Sequence, residues 1–236
     1  MDAIVAKLGL QMLGAHALAL RDLENGEEPF VYSSGNKGPG YVMVKGLVSQ
    51  RRLMTALCYQ LATRILVSFP DIEYVSGNAT GGMVPAWIVA GALEKLSGRE
   101  IPYFYVRGTR KVGGHGELLT GDKNNDFFSV TRRGLVLEEL VNFAQTTTNS
   151  AIVQRNAGHD VRHAAGILFY DHKHAKERLN SAGVSLTYLM TLEQLLRLAE
   201  TRGVPTRLLD DYRYYITNPD GWCRRHGITA PVKENA

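Results

Sequence analysis

Apolar positions recur at helical spacing from the first residues of the chain. Ile4, Val5, Leu8, Met12 and Ala15 share one face, which predicts a helix from residue 2 to about 23, stopped by Asn25-Gly26. Two short β-prone runs, 30–32 and 41–44, flank a turn-rich stretch over 33–40. Ser49 then has the character of an N-cap for a helix to about residue 67, with Leu53, Leu57, Leu61 and Ile65 on one face. Strand and helix alternate afterwards. Strands are expected at 72–75, 103–106, from 135, at 165–170 and at 185–189. Helices are expected from Gly81-Gly82 through 96, ending near Gly158, at 173–181 and at 192–201, the last stopped by Gly203. Such alternation predicts an α/β fold with a mainly parallel central sheet flanked by helices. Residues 1–204 read as one domain. Residues 205–236 read as a C-terminal helical extension packed on it, with Leu208, Leu209, Tyr212, Tyr215 and Ile216 at helical spacing and Trp222 behind them.

Composition narrows the function classes. The 236 residues are 44% hydrophobic and 21% charged, as in an ordinary globular protein. No apolar run approaches the roughly 18 residues that would span a bilayer, so no membrane association is expected. The N-terminus lacks the basic region and cleavage site of a signal peptide. Two cysteines, Cys58 and Cys223, without a CxxC pattern, fit a reducing cytoplasm. The net charge of +4 suits a small phosphorylated ligand. It does not extend to the dense basic stripe of a nucleic-acid binder.

In a sheet of this kind ligands bind at the C-terminal strand ends. Three loops fall there. Residues 77–82, Gly-Asn-Ala-Thr-Gly-Gly, leave a strand and enter a helix. Glycines admit close backbone approach and a helix start attracts anions, although a plain tight turn has the same pattern. Residues 107–117 carry three cations and a histidine among four glycines. This suits a loop that closes over a phosphorylated ligand, or equally an exposed hairpin with solvated charges. In 135–150 a hydrophobic strand ends in Glu138-Glu139, and Thr146, Thr147, Thr148, Asn149 and Ser150 precede a helix. Carboxylates there can position ribose hydroxyls or Mg²⁺, and the hydroxyls can bind phosphate. A helix cap beside a solvated acidic pair fits the same residues. Asp171, His172 and His174 read as a polar turn rather than a metal site.

In order and spacing these segments resemble orotate phosphoribosyltransferases, of the type I phosphoribosyltransferase fold, over residues 30–196. The matching pieces are Ser34-Gly35-Asn36-Lys37-Gly38-Pro39, Gly77 to Pro85, Arg107 with Lys111 and His115, and residues 135–150 as a modified PRPP (phosphoribosyl pyrophosphate) signature. Ala157-Gly158, Asp171, Ala182-Gly183-Val184 and Thr191-Leu192 follow in family order. The resemblance implies a small N-terminal hood and transfer of ribose 5-phosphate from PRPP to a pyrimidine base, orotate above all, with Mg²⁺ as cofactor. It implies that Lys111, His115 and Arg107 act on the pyrophosphate. It also implies a homodimer, with the 107–121 loop shared between subunits. Glu138, Glu139, Thr146, Thr147, Thr148, Asn149, Ser150, Ala79, Thr80 and Gly81 would bind PRPP. Lys37, Tyr41, His172 and Thr146 would contact the base. Mg²⁺ would be held through PRPP, with Glu138 and Glu139 near it.

The sequence departs from the family pattern in several places. The acids are Glu-Glu, where Asp-Asp or Glu-Asp is usual. Asn142-Phe143-Ala144-Gln145 are inserted before the threonines, and Thr148-Asn149 replace glycines. Two more residues than usual separate Lys111 from His115. Ser33 and His172 stand where a lysine and often an arginine occur. These changes leave a second reading open, a catalytically impaired relative that binds a nucleotide or a protein partner.

Overall fold

Along the central strands the side chains alternate between two cores. Leu135 and Leu137 belong to one apolar cluster, and Val136 between them belongs to the other. Val75 and Tyr74 divide in the same way, as do Ala165 and Ala164. A strand points successive side chains to opposite faces, so near-continuous apolar runs mark strands buried on both sides.

In the computed structural model, residues 1–32, 35–108 and 117–229 are described. Helix α1 (Ala3–Gly14) leads through β1 (Leu18–Leu20), β2 (Phe30–Val31), β3 (Lys37–Gly38) and β4 (Gly40–Val42) to α2 (Arg51–Ser68). Then follow β5 (Tyr74–Asn78), α3 (Met83–Ser97), β6 (Tyr103–Val106), β7 (Leu119–Thr120), β8 (Arg133–Val141) and α4 (Gln145–Asn156). The chain continues through β9 (Asp160–Phe169), α5 (Lys173–Ser181), β10 (Ser185–Thr191) and α6 (Leu192–Thr201), and the described residues end beyond α7 (Thr206–Thr217) and α8 (Pro219–Arg225). The main sheet has the order β10-β9-β8-β5-β6-β7. Its pairings are parallel except for β7, which runs antiparallel to β6. One core packs α1, α2, α3 and α6 on one face, and the other packs α4 and α5 on the opposite face. Two small antiparallel pairs, β1 with β4 and β2 with β3, form the hood.

Several expected boundaries move, each for a local reason. The first helix stops at Gly14 rather than near residue 23. His16 turns the chain in the left-handed region (φ 57°), and Leu18–Leu20 then pairs with Gly40–Val42. Gly26 closes a short 3₁₀ turn, capped by Asp22, instead of the helix. Ser49 does not cap α2; it lies in a preceding 3₁₀ turn and donates its hydroxyl to the Gly46 carbonyl. Strand β5 runs on through Asn78, because Ser76, Gly77 and Asn78 pair with β6. Strand β8 likewise continues to Val141 along β9, so Glu138 and Glu139 lie within it rather than at its end.

The C-terminal residues form two helices where one was expected. Leu209 and Tyr212 of α7 join the larger core. Arg213 forms an ion pair with Glu193 of α6, and Arg207 forms another with Asp22 beside the hood. Trp222 is fully buried in α8, meets Tyr215 edge-on and donates its indole N–H to Asp211 at 2.8 Å. Truncation of a buried tryptophan typically costs about 3–5 kcal/mol. Trp222→Ala is therefore expected to lower unfolding stability by about that amount, read as a lower denaturant midpoint. A shift under about 1 kcal/mol would mean that α8 is not seated as described.

Candidate active site

The acids on β8 inherit its alternation. Glu138 falls on the α4 face and Glu139 on the face that carries α3, so the two carboxylates diverge. Glu138 is 6% exposed. Its Oε1 accepts from Asn78 Nδ2 at 2.6 Å and from Thr146 Oγ1 at 2.7 Å, with Thr147 Oγ1 at 3.5 Å. One oxygen thus joins β5, β8 and the first turn of α4. Burial pushes the Glu138 carboxyl up to about 7, against the hydrogen bonds from Thr146 and Asn78, and the neighbouring Glu139 charge adds to the rise. Asn78 Oδ1 is buried beside it with no hydrogen-bond partner among the described residues.

The loop after β5 is shaped by close approach. A Cβ at Gly82 would lie 2.4 Å from the Leu137 carbonyl oxygen and 2.9 Å from the Asn78 nitrogen, both backbone atoms that cannot yield. A Cβ at Gly81 would fall on the Glu139 carboxylate, 1.8 Å from Oε1. Glu139 is therefore packed against the expected pyrophosphate loop. Burial raises its pKa, opposed by its own backbone N–H and by the charge of Lys45. Ala79 donates its N–H to the Val106 carbonyl, and the Ala79–Thr80 peptide is cis. Thr80 is exposed.

The 142–150 segment differs from its expected form. The hydroxyl-bearing residues do not precede the helix; α4 begins at Gln145, after Ala144 in the left-handed region (φ 58°). Threonines can enter a first helical turn because their hydroxyls bond backwards. Thr148 Oγ1 donates to the Ala144 carbonyl at 2.9 Å and to that of Gln145 at 3.2 Å. Ser150 Oγ accepts from Gln154 at 3.1 Å. Thr147, Thr148 and Ser150 are buried, while Thr146 and Asn149 are exposed. The first-turn amides, which lack intrahelical acceptors, are those of the inserted Gln145 and of Thr146 and Thr147.

Arg107, just beyond β6, completes this side. Its guanidinium donates to Thr120 Oγ1 at 3.2 Å and to the Tyr105 hydroxyl at 3.0 Å. With Asn78, Ala79, Thr146, Asn149 and Ser150 it lines a cleft of about 320 Å³. Lys111 and His115 lie outside the described residues.

No protein-family model matches the chain. It is 29% identical over 177 residues to the orotate phosphoribosyltransferase of Streptococcus sanguinis, covering 75% of this chain and 79% of that protein. It is 27% identical over 231 residues to that of Sinorhizobium fredii, covering 96% and 92%. The chain is similar in sequence to the orotate phosphoribosyltransferases. Its fold is that of the type I phosphoribosyltransferases. The solved orotate phosphoribosyltransferase of Aeropyrum pernix superposes with a TM-score of 0.62 at 24% identity, over 82% of this chain and 98% of that one. Leishmania donovani UMP synthase superposes with a TM-score of 0.69 at 20% identity, over 92% of this chain but only 42% of that longer one.

A second, larger cavity of about 560 Å³ opens beneath the hood. Of the residues expected to contact the base, Tyr41 and His172 line it; Thr146 lies in the smaller cleft, and Lys37 is exposed on β3 and lines neither. His172 Nε2 donates a hydrogen bond to Asn142 Oδ1 at 2.8 Å, and the ring stacks on Phe143, with ring centroids 4.8 Å apart. Burial, with His174 nearby, lowers its pKa. Sequence reasoning missed Asn78, Asn142 and Phe143. The signal for Asn78 was a polar residue closing an apolar strand; Asn142 and Phe143 were visible only as an insertion.

The pH consequence of Glu138 has a definite sign. A carboxyl with a raised folded-state pKa stabilises the fold below its unfolded value near 4.5, and that contribution is lost as pH rises through about 7. Stability is expected to fall across this window by a few kcal/mol. Glu138→Gln should flatten the fall when denaturant midpoints are compared from pH 4.5 to 8. An unchanged slope in the variant would show that Glu138 is already ionised in the folded protein.

Proposed function

We propose that this protein transfers ribose 5-phosphate from PRPP to a ring nitrogen of orotate, giving orotidine 5′-phosphate and pyrophosphate. The bond between the anomeric carbon and the pyrophosphate oxygen breaks, and a carbon–nitrogen bond to the base forms. The observation that carries the reading is the Glu138 carboxylate, gripped from two sides by Asn78 at the end of β5 and Thr146 at the start of α4. The 29% identity to a named orotate phosphoribosyltransferase supports it.

In this reading Glu138 and Glu139 hold the ribose hydroxyls and place negative charge near a carbon that becomes cation-like. Ionised Glu138 is the better acceptor, so bringing ribose hydroxyls to it favours loss of its proton. Arg107, with Lys111 and His115, neutralises the departing pyrophosphate, and the loop over 107–121 keeps water out. Ala79, Thr80 and Gly81 receive the pyrophosphate. Thr146 and Asn149, with the first-turn amides of α4, receive the 5′-phosphate. Among the described residues no cluster of three or more His, Cys, Asp or Glu could hold a metal. Two oxygen-donor acids fit Mg²⁺ bound mostly through the substrate's own oxygens, where it would neutralise pyrophosphate charge.

The shared loop calls for a homodimer. Trp87 and Val84 of α3, 68% and 45% exposed, offer an apolar face for one. No described helix is long and apolar enough to cross a membrane. Both cysteines are free and buried, which fits a reducing cytoplasm.

One observation favours the second reading, a nucleotide-binding or partner-binding relative without turnover. The Thr148 hydroxyl, at a position where the family pattern has glycine, and the Ser150 hydroxyl both bond inside α4. Enzymatic assay separates the two. Protein supplied with PRPP, Mg²⁺ and orotate should consume orotate, and Lys111→Ala should lower the rate at least about 100-fold. Absence of turnover with any base, together with no PRPP binding by calorimetry, would leave the enzyme reading without support. Sedimentation should give a dimer mass, and Trp87→Glu should shift it toward monomer; an unchanged mass would rule out this face as the interface.

A further inference from the structure

The extension beyond residue 204 carries none of the motifs on which the family resemblance rests, yet it reaches the hood cavity. Tyr212, Tyr215, Ile216 and Pro219 line that cavity together with Tyr41 and His172. The seat of α7 is built into the hood. A Cβ at Gly40 would come within 2.5 Å of the Tyr212 ring, and one at Gly38 within 2.8 Å of the Tyr215 ring. Only glycine leaves those notches. The Tyr212 hydroxyl meets that of Tyr170 at 2.9 Å, and Trp222 braces Tyr215 from behind. Tyr215 is thus held in place on both sides.

The chemistry of the cavity is consistent around its wall. Its lining among the described residues contains no Lys, Arg, Asp or Glu. Aromatic faces predominate, and the polar atoms are neutral amides, tyrosine hydroxyls and the His172 ring. Two of the departures from the family pattern, the 142–145 insertion and His172, meet here through the Asn142–His172 hydrogen bond. The insertion and His172 therefore meet the extension in one space. Such a wall suits a planar heteroaromatic ring, held by stacking and neutral hydrogen bonds.

We propose that the C-terminal extension forms one wall of the acceptor pocket, and that Tyr215 and Ile216 are specificity-determining residues for the planar base bound there. This rests on the phosphoribosyl-transfer reading for the identity of the acceptor, but the wall can be tested without turnover.

Tyr215→Leu and Ile216→Ala should each raise KM for orotate about tenfold while KM for PRPP stays within about twofold. Tyr215→Phe, which keeps the ring, should restore the orotate KM to near wild type. Thermal melts of all three variants accompany the kinetics, so that a folding defect is recognised. An orotate KM unchanged in both Tyr215→Leu and Ile216→Ala, or an equal rise for PRPP, would overturn the proposal. Should the wild type turn over no orotate, the transfer reading fails and calorimetry with orotidine 5′-phosphate decides the wall. Weaker binding to Tyr215→Leu supports it, equal binding overturns it, and no binding to wild type overturns both.

Discussion

The candidate site depends on one carboxylate oxygen. Glu138 Oε1 collects hydrogen bonds from Asn78 at the end of β5 and from Thr146 at the start of α4. Glu138 itself stands on β8 between them in space. Burial of an acid is tolerated only when donors surround it or when it takes up a proton. Here both operate, and its pKa rises to about 7. The strand that carries it has the same requirement: apolar on both faces, it must stay at the centre of the sheet, and its tail must then emerge where the ligand loops gather.

Around this anchor the two faces of β8 divide the labour. On the α4 side Glu138 accepts hydrogen bonds from neutral side-chain donors. On the α3 side Glu139 lies against Gly81, where no side chain fits. A pair of acids adjacent in sequence thereby serves two different loops. The longer glutamate side chains extend each carboxylate further from the strand than aspartates would. The inserted residues 142–145 carry the chain into α4, with Ala144 in the left-handed region at the turn. The resulting helix start exposes amides of the insertion rather than a glycine-rich loop, and the threonine hydroxyls turn inward.

The second cavity depends on a different constraint, the fit of bulky rings into glycine notches. Gly38 and Gly40 allow Tyr215 and Tyr212 to lie flat against the hood. The extension is thus part of the hood's packing, with Tyr212 in the main core. The cavity beneath has no fixed charge in its described lining, in contrast to the smaller cleft, where Arg107 stands.

The apolar spacing of the chain by itself determined the α/β alternation, the mainly parallel sheet and several helices. The bounds of α5 and α6 coincide with the expected 173–181 and 192–201, because amphipathic faces and clear stops are local properties. The order of the glycine turn, the cationic loop and the acid pair also pointed to the site. The full reach of two strands was not legible: β5 extends to Asn78, and β8 past Glu138-Glu139 to Val141, only because neighbouring strands supply partners for their backbones. The break after α1 was hidden for the same reason, since Leu18–Leu20 could be read as helix until β4 paired with it. Only the tertiary structure decided which acid faces which loop, where the inserted residues go, and that α7 closes a cavity about 190 residues after the first helix. Those outcomes rest on contacts between distant segments, whose energies depend on packing and burial rather than on any spacing along the chain.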